Sequence, residues 1–404
     1  MKSWPLERIP HLGLCAFTAI VQSMTRAVIQ RRTPSCFSDT HAIQEFARLR
    51  WETLGLDREA VEDVTQQVNT MFHTEVPVPC IDETCDALAQ ATLAQWECGE
   101  RPVTFFTSGT TGVPKPCTHR ESHLRQEITS VAPLVEDRRA ALVAAPLHHM
   151  YGFTFGLLLP LSLGIPFRTV PSLPTAVAAQ MRSGDMVIGI PLIWSKFVTL
   201  QHWLCGAEKR GADITVFTAT SPTPSEVLQT LLHYGFCVIE IFGSSEVGAF
   251  CYRKHPEAPF ELLPHVRRGR GKGRGTLERL LPDDGLRQYP LMDTVTWLDD
   301  RHLRPGARID KAVQVGGINV YPQHVAKILE RCGGVRSCAV RLMRVEEGFR
   351  LKAFVVPEAN ADLEELRASL IRFARTQLRD EERPGKYDFG ADIPRNPMGK
   401  PGDW

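Results

Sequence analysis

The feature that most restricts the fold is an alternation that begins near residue 101. Short apolar runs recur there: VTFFT, AALVAAP, DMVIGIP, ITVFTA and FCVIEIFG. Each ends in or runs straight into Gly, Ser, Thr or Pro, and several lead into a helical stretch such as Pro224–Tyr234, PSEVLQTLLHY. Strand, loop and helix in repeating order predict an α/β architecture with a largely parallel sheet, whose ligands sit beyond the carboxyl ends of the strands. Residues 1 to about 100 read instead as helix and loop, with apolar residues at helical spacing in HAIQEFARLRWETLGLDREAVEDVTQQVNTMF. After Asp310 the texture is that of a small α+β unit. Tyr321–Arg331 is expected to be helical, SCAVRLMRV and RLKAFVVP to be strands, and ADLEELRASLIRFARTQL to be an amphipathic helix. A chain of 404 residues is too long for one core. It is expected to divide into an N-terminal domain over 1–308, of mostly parallel β-sheets flanked by helices, and a C-terminal α+β domain over 309–404.

Composition removes several classes of function. The net charge of +1 offers no bulk field for nucleic acid or a membrane surface. No apolar run reaches the ~18 residues of a spanning helix. The first stretch, MKSWPLERIPHLGLCAFTAIVQSM, is broken early by charges and lacks a small-residue cleavage site, so no signal peptide is expected. The eleven cysteines follow no framework; Cys80 and Cys85, or Cys332 and Cys338, have neither CxxC spacing nor a histidine pattern. Free thiols in a reducing cytoplasm are the expectation. The basic, glycine-rich RRGRGKGRG, Arg267–Gly275, reads as a mobile surface loop, and PDDGL at 282–286 as a turn between strands.

The chemistry concentrates in a few short motifs. In VTFFTSGTTGVPK a strand runs into a loop of small residues, Thr107, Ser108, Gly109, Thr110, Thr111 and Gly112, followed by Lys115. Glycine lets backbone N–H groups approach an anion, hydroxyls add donors at little steric cost, and the lysine adds charge. The spacing is not that of the common P-loop, because only two residues separate Gly109 from Gly112 and Pro114 precedes Lys115. Further along stand PLHHMYGF (Pro146–Phe153), IEIFGSSEVG (Ile239–Gly248), YPLMDTVTWL (Tyr289–Leu298), ARIDKAVQVGGINVYP (Ala307–Pro322) and PRNPMGK (Pro394–Lys400). In PLHHMYGF the adjacent histidines are expected to point to opposite sides of an extended segment, a poor metal pair. Glu246 follows the strand FCVIEI, where a carboxylate suits a hard cation shared with phosphates.

In their order over about residues 103 to 400, these motifs resemble those of the adenylate-forming ligases: acyl- and aryl-CoA synthetases, peptide-synthetase adenylation domains and luciferases. The resemblance implies ATP, Mg2+ and coenzyme A, or a phosphopantetheine arm, as cofactors. It implies that Thr107–Lys115 cradles the ATP phosphates and that His149 borders the carboxylate pocket. Phe242 and Gly243 then stand at the adenine, where Phe242 replaces the usual tyrosine. Ser245 meets the phosphate in place of threonine, and Glu246 holds the magnesium. Asp293 meets the ribose hydroxyls, Arg308 the nucleotide, and Asp310 is the hinge about which a small mobile C-terminal domain turns. Lys400 is the catalytic lysine of that domain. Residues near Pro191–Trp194, Thr218–Pro222 and His149 are expected to line the acid pocket, and no acidic residue among them would anchor an α-amine. The expected reaction activates an aryl or acyl carboxylic acid as its adenylate and passes it to a thiol, with no nucleic acid or membrane partner. A separate carrier protein as acceptor, or a degenerate binder of small aromatic acids, are the alternatives. The region before the phosphate loop is shorter than in typical members, and Gln314, His324 and Ala326 depart from the hinge pattern.

Overall fold

Among the described residues, three helices precede the alternating region: α1 (Leu14–Arg32), α2 (Arg58–Phe72) and α3 (Cys85–Trp96). They belong to a computed structural model that describes residues 12–32, 48–97, 101–107, 115–200, 213–270, 275–282, 285–316, 318–344, 347–359, 361–394 and 404. The Asp57 carboxylate caps α2 by accepting from the Ala60 N–H (2.8 Å), and Thr84 caps α3 through the Ala87 N–H (3.3 Å). Val61, Val64, Val68 and Phe72 form the buried stripe of α2. Phe17 of α1 packs between Phe72 and Trp96, with ring centroids 4.7 and 5.4 Å away, and Phe72 in turn meets Phe153 at 6.4 Å.

The apolar runs are strands. β1 (Val103–Thr107) pairs with β2 (Lys115–His119), and the helix α4 (Glu121–Val131) follows. β3 (Ala140–Val143), β4 (Phe167–Thr169), β5 (Asp185–Ile188), β6 (Thr215–Thr218) and β7 (Cys237–Ser244) lie parallel in the order β4, β3, β5, β6, β7. Helices α5 (Pro191–Phe197) and α6 (Ser225–His233) belong to the crossovers. β5 and β6 are buried at every position, as central strands covered on both faces are. β8 (Gly248–Arg253) and β9 (Phe260–Leu262) then turn the same sheet antiparallel. β10 (Val266–Arg268), β11 (Thr276–Leu281) and β12 (Gly285–Pro290) form a separate antiparallel sheet, while β13 (Asp293–Trp297) and β14 (His302–Arg308) complete the nine-stranded one. The basic segment expected to be a loop from Arg267 therefore begins as strand: Arg267 and Arg268 sit opposite Glu278 and Leu277, and Arg267 is ion-paired to Glu278 at 2.7 Å. Residues 271–274 lie outside the described residues, as do 283–284 of the expected turn that joins β11 to β12.

The chain separates into two compact units, Met1–Phe106 with Pro116–Gly306, and Thr107–Lys115 with Ala307–Trp404. In the second unit a hairpin of β15 (Val313–Val315) and β16 (Ile318–Val320) leads to α7 (Pro322–Leu329). β17 (Val335–Leu342), β18 (Leu351–Pro357) and β19 (Pro384–Phe389) form its sheet, and α8 (Leu363–Gln377) carries an Asp362 cap. Its core gathers Val320, Val325, Leu329, Leu351, Val355 and Leu370. Among the described residues no helix is long and apolar enough to cross a membrane.

Candidate active site

The carboxyl end of β7 carries the residues expected at the nucleotide. Gly243 lies opposite Ala249 across the β7–β8 pair, and an added Cβ there would press into the Gly248 carbonyl. Ser244 Oγ accepts from the Val247 N–H (3.3 Å), so Ser245 and Glu246 form the tip of a tight turn that Gly248 closes at φ +85°. Phe242 is half-buried beside it, edge-on to Phe250 at 4.9 Å. The Glu246 side chain is exposed and has no hydrogen-bonded or ion-paired partner among the described residues.

The two carbonyls on either side of Glu246 are both held. His119, the last residue of β2, donates from Nε2 to the Ser245 carbonyl at 2.7 Å. Arg279 of β11 donates from Nη1 to the Val247 carbonyl and to Glu127 Oε1 of α4, the latter at 3.0 Å. Glu127 Oε2 accepts from the Ala249 N–H (3.0 Å), and Arg279 Nη2 donates to the His123 carbonyl (2.7 Å). Glu127 and Arg279 are each only 1% exposed. Burial pushes the Glu127 carboxyl up from its ordinary value, opposed by the Arg279 charge and the Ala249 N–H. Burial lowers His119 to about 4, helped by the nearby Arg279 charge and opposed by the Ser245 carbonyl, so the ring is neutral at pH 7 and carries its proton on Nε2. His265, whose Nδ1 lies 2.9 Å from Ser130 Oγ, is lowered to about 3 by burial and by Arg279. None of His119, Glu127 or Arg279 stands in a recognisable motif. The one signal for them is the position of His119 four residues beyond Lys115, at the far end of the same strand.

The stem of the phosphate loop is tied across β1 and β2. Thr104 and Thr118 join hydroxyls at 2.7 Å, and His73 Nε2 lies 2.8 Å from Thr104 Oγ1. His73 sits at the end of α2 with a left-handed φ of 55°. Lys115 is exposed at the start of β2 and Thr107 ends β1; Ser108, Gly109, Thr110, Thr111 and Gly112 lie outside the described residues.

The histidine motif is a turn, not an extended segment. His149 N–H donates to the Pro146 carbonyl (3.2 Å), and the His148 and His149 rings lie side by side with centroids 4.3 Å apart rather than on opposite faces. Ser23 of α1 sets this turn: its Oγ accepts from the Leu147 N–H (3.0 Å) and lies 2.9 Å from His148 Nδ1. A π-helical turn, Gly152–Leu158, follows at once, a geometry frequent at functional sites. Of the residues expected along the acid pocket, Ile193 and Trp194 are buried in the hydrophobic core. Trp194 is fully buried, with its Nε1 donating to the Phe217 carbonyl (3.0 Å). Beyond β6, Thr220 takes a left-handed φ of 79°, rare for a β-branched residue, and its buried hydroxyl has no partner among the described residues.

Asp293 is the first residue of β13 in the large unit. In the small unit Arg308 grips Asp310 with two hydrogen bonds, Nε to Oδ1 (2.8 Å) and Nη2 to Oδ2 (2.6 Å). Tyr321 O–H (3.1 Å) and the Ala312 N–H (3.1 Å) donate to the same carboxylate. Burial alone would raise the Asp310 carboxyl, but these donors and the Arg308 charge hold it below its ordinary value. Lys311 follows with a left-handed φ of 58°. Lys400 and Gly317 lie outside the described residues.

Among the described residues no group of three or more His, Cys, Asp or Glu side chains could hold a metal ion. A single exposed carboxylate such as Glu246 suits Mg2+, which keeps waters and substrate phosphates among its ligands, better than a metal bound in an all-protein cage.

Known proteins show the same pattern. The AMP-binding enzyme family matches residues 51–270. A 4-coumarate–CoA ligase of Halorhodospira halophila is 34% identical over 74% of this chain and 74% of its own length. One of Rhodobacter capsulatus is 35% identical over the same two shares, 74% and 74%. Among solved structures, an amide bond synthetase from Marinactinospora thermotolerans aligns with a TM-score of 0.61 at 21% identity, over 74% of this chain and 67% of that one, a likeness of fold. The chain belongs to the AMP-binding, adenylate-forming enzymes.

Proposed function

We infer that the chain is an AMP-forming acid–coenzyme A ligase and that its acid is an aryl propenoate of the 4-coumarate kind. Kinship at a third identity with ligases named for that acid carries the reading. A carboxylate is a poor electrophile, since oxide would have to leave. In the first half-reaction a carboxylate oxygen bonds to the α-phosphorus of ATP and pyrophosphate leaves, giving the acyl-adenylate. In the second, the coenzyme A thiol gives up its proton, its sulfur bonds to the acyl carbon, and AMP leaves.

The residues divide this work as follows. The loop Thr107–Lys115 holds the phosphates, Phe242 and Gly243 border the adenine, and Asp293 accepts from the ribose hydroxyls. His149 borders the acid carboxylate, and Ser245 donates to phosphate. Glu246 is the ligand for Mg2+, which when bound supplies positive charge to the phosphate oxygens. Lys400, on the small unit, neutralises charge as pyrophosphate leaves. Asp310 is the pivot about which that unit turns between the half-reactions, and the donors converging on it (Arg308, Tyr321 and the Ala312 N–H) give such a pivot a defined rest position. The test is thioester formation from coenzyme A and ATP over a panel of benzoates, cinnamates and fatty acids. Hydroxycinnamates should lead by about tenfold or more in kcat/KM, the span a matched pocket gives. A preference for straight-chain fatty acids would contradict the aromatic assignment.

A further inference from the structure

The turn that presents Glu246 is held in a way its own hairpin does not require. A tight turn between two antiparallel strands closes with its own backbone bonds and a glycine in the left-handed region, and Gly248 already supplies that. Yet the carbonyl before Glu246 and the carbonyl after it are each fixed by a buried side chain from elsewhere, His119 of β2 and Arg279 of β11. Glu127 of α4 adds a third hold one residue beyond Gly248, at the Ala249 N–H. An added Cβ at Gly248 would collide with Glu127 Oε1, so the pair lies hard against the turn. Buried ion pairs add little stability over apolar packing of the same shape, and the best-attested reason to keep one is to specify a geometry. Here the geometry specified is that of one exposed carboxylate with no partner among the described residues.

We propose that His119 and the Glu127–Arg279 pair are positioning residues that aim the Glu246 carboxylate at a nucleotide-bound divalent cation. The inference rests on the reading of Glu246 as the residue that meets that cation. His119 is suited to the task because it stays neutral. A protonated ring would bring a second charge beside Arg279, whereas the neutral ring donates its one N–H from Nε2 to the Ser245 carbonyl. β2 also begins with Lys115, so one five-residue strand links the loop expected at the phosphates to the turn expected at the cation.

The test measures binding as well as turnover. ATP affinity is read by calorimetry for the full chain, with Mg2+ titrated and with the metal chelated. His119→Leu removes the hydrogen bond and should weaken the Mg2+-dependent part of ATP binding by about tenfold or more, as loss of a supporting partner does at metal sites. Metal-free ATP binding and the conversion of supplied acyl-adenylate to thioester should stay unchanged. His119→Gln, whose amide can donate to the Ser245 carbonyl, should come within about threefold of the native chain, while His119→Asn, one methylene shorter, should behave like the leucine variant. The Gln and Asn pair decides the matter if the leucine variant does not fold. Native Mg2+ dependence in His119→Leu or His119→Asn, or equal loss with and without metal, would overturn the proposal. Glu246→Gln is the control: if it keeps native Mg2+ dependence, the reading of Glu246 has failed, and the positioning role with it.

Discussion

At the scale of single residues, two buried histidines set how the protein meets acid. His119 falls from 6.5 to about 4, and His265 from 6.5 to about 3. In both cases the unfolded chain binds a proton that the folded chain refuses. Their contribution is therefore complete above about pH 6.5 and is lost as pH falls through the window toward 4 and then 3. For His119 alone the loss amounts to roughly 3 kcal/mol at the foot of the window. Chemical denaturation between pH 7.5 and 3 (chosen to span that window) should show falling stability, and His119→Gln should flatten the curve. A native curve already flat over the range would contradict the burial argument.

At the scale of elements, β11 illustrates what a sequence hides. TLERLL reads as an ordinary strand, and it is one, but its arginine crosses to α4 and to the β7–β8 turn, more than 150 residues away for the Glu127 contact. Nothing local marks Arg279, because its role exists only through long-range packing. Glu127 is hidden in the same way on the buried face of α4. The parallel strands were legible, since continuous apolar runs between turn residues have few other uses, and so was the place of Glu246 just beyond FCVIEI, while the turn that presents it was not read. The His148–His149 turn was misread because the contact that bends it, Ser23, comes from a helix 124 residues earlier. The Arg279–Glu127 pair has its own test. Arg279→Met leaves a buried carboxyl without its cation and should cost about 3–5 kcal/mol at neutral pH. Without the guanidinium, Glu127 takes up a proton more readily, so the loss should shrink as pH falls and Glu127 is neutralised. A loss independent of pH would mean that packing, not charge, is what the arginine provides.

At the scale of the whole molecule, the chain divides into two compact units. The alternation from residue 101 falls in the large unit and the change of texture after Asp310 in the small one, which begins at Ala307 and also takes in Thr107–Lys115; among the described residues the large unit holds two hydrophobic clusters and the small one a cluster of its own. Less legible was the antiparallel half of the large sheet, whose strands β8 and β9 follow one another through turns and leave no crossover helix to mark them. On this chemistry the acid is activated as an adenylate before any thiol takes part. The most direct measurement is isotope exchange between pyrophosphate and ATP with 4-coumarate present and coenzyme A left out. Exchange should depend on the acid and on Mg2+, and should fall by about 10²-fold or more in Lys400→Ala, the usual loss when a transition-state charge contact is removed. Exchange that appears only when coenzyme A is added, or cleavage of ATP to ADP in place of AMP, would contradict this chemistry.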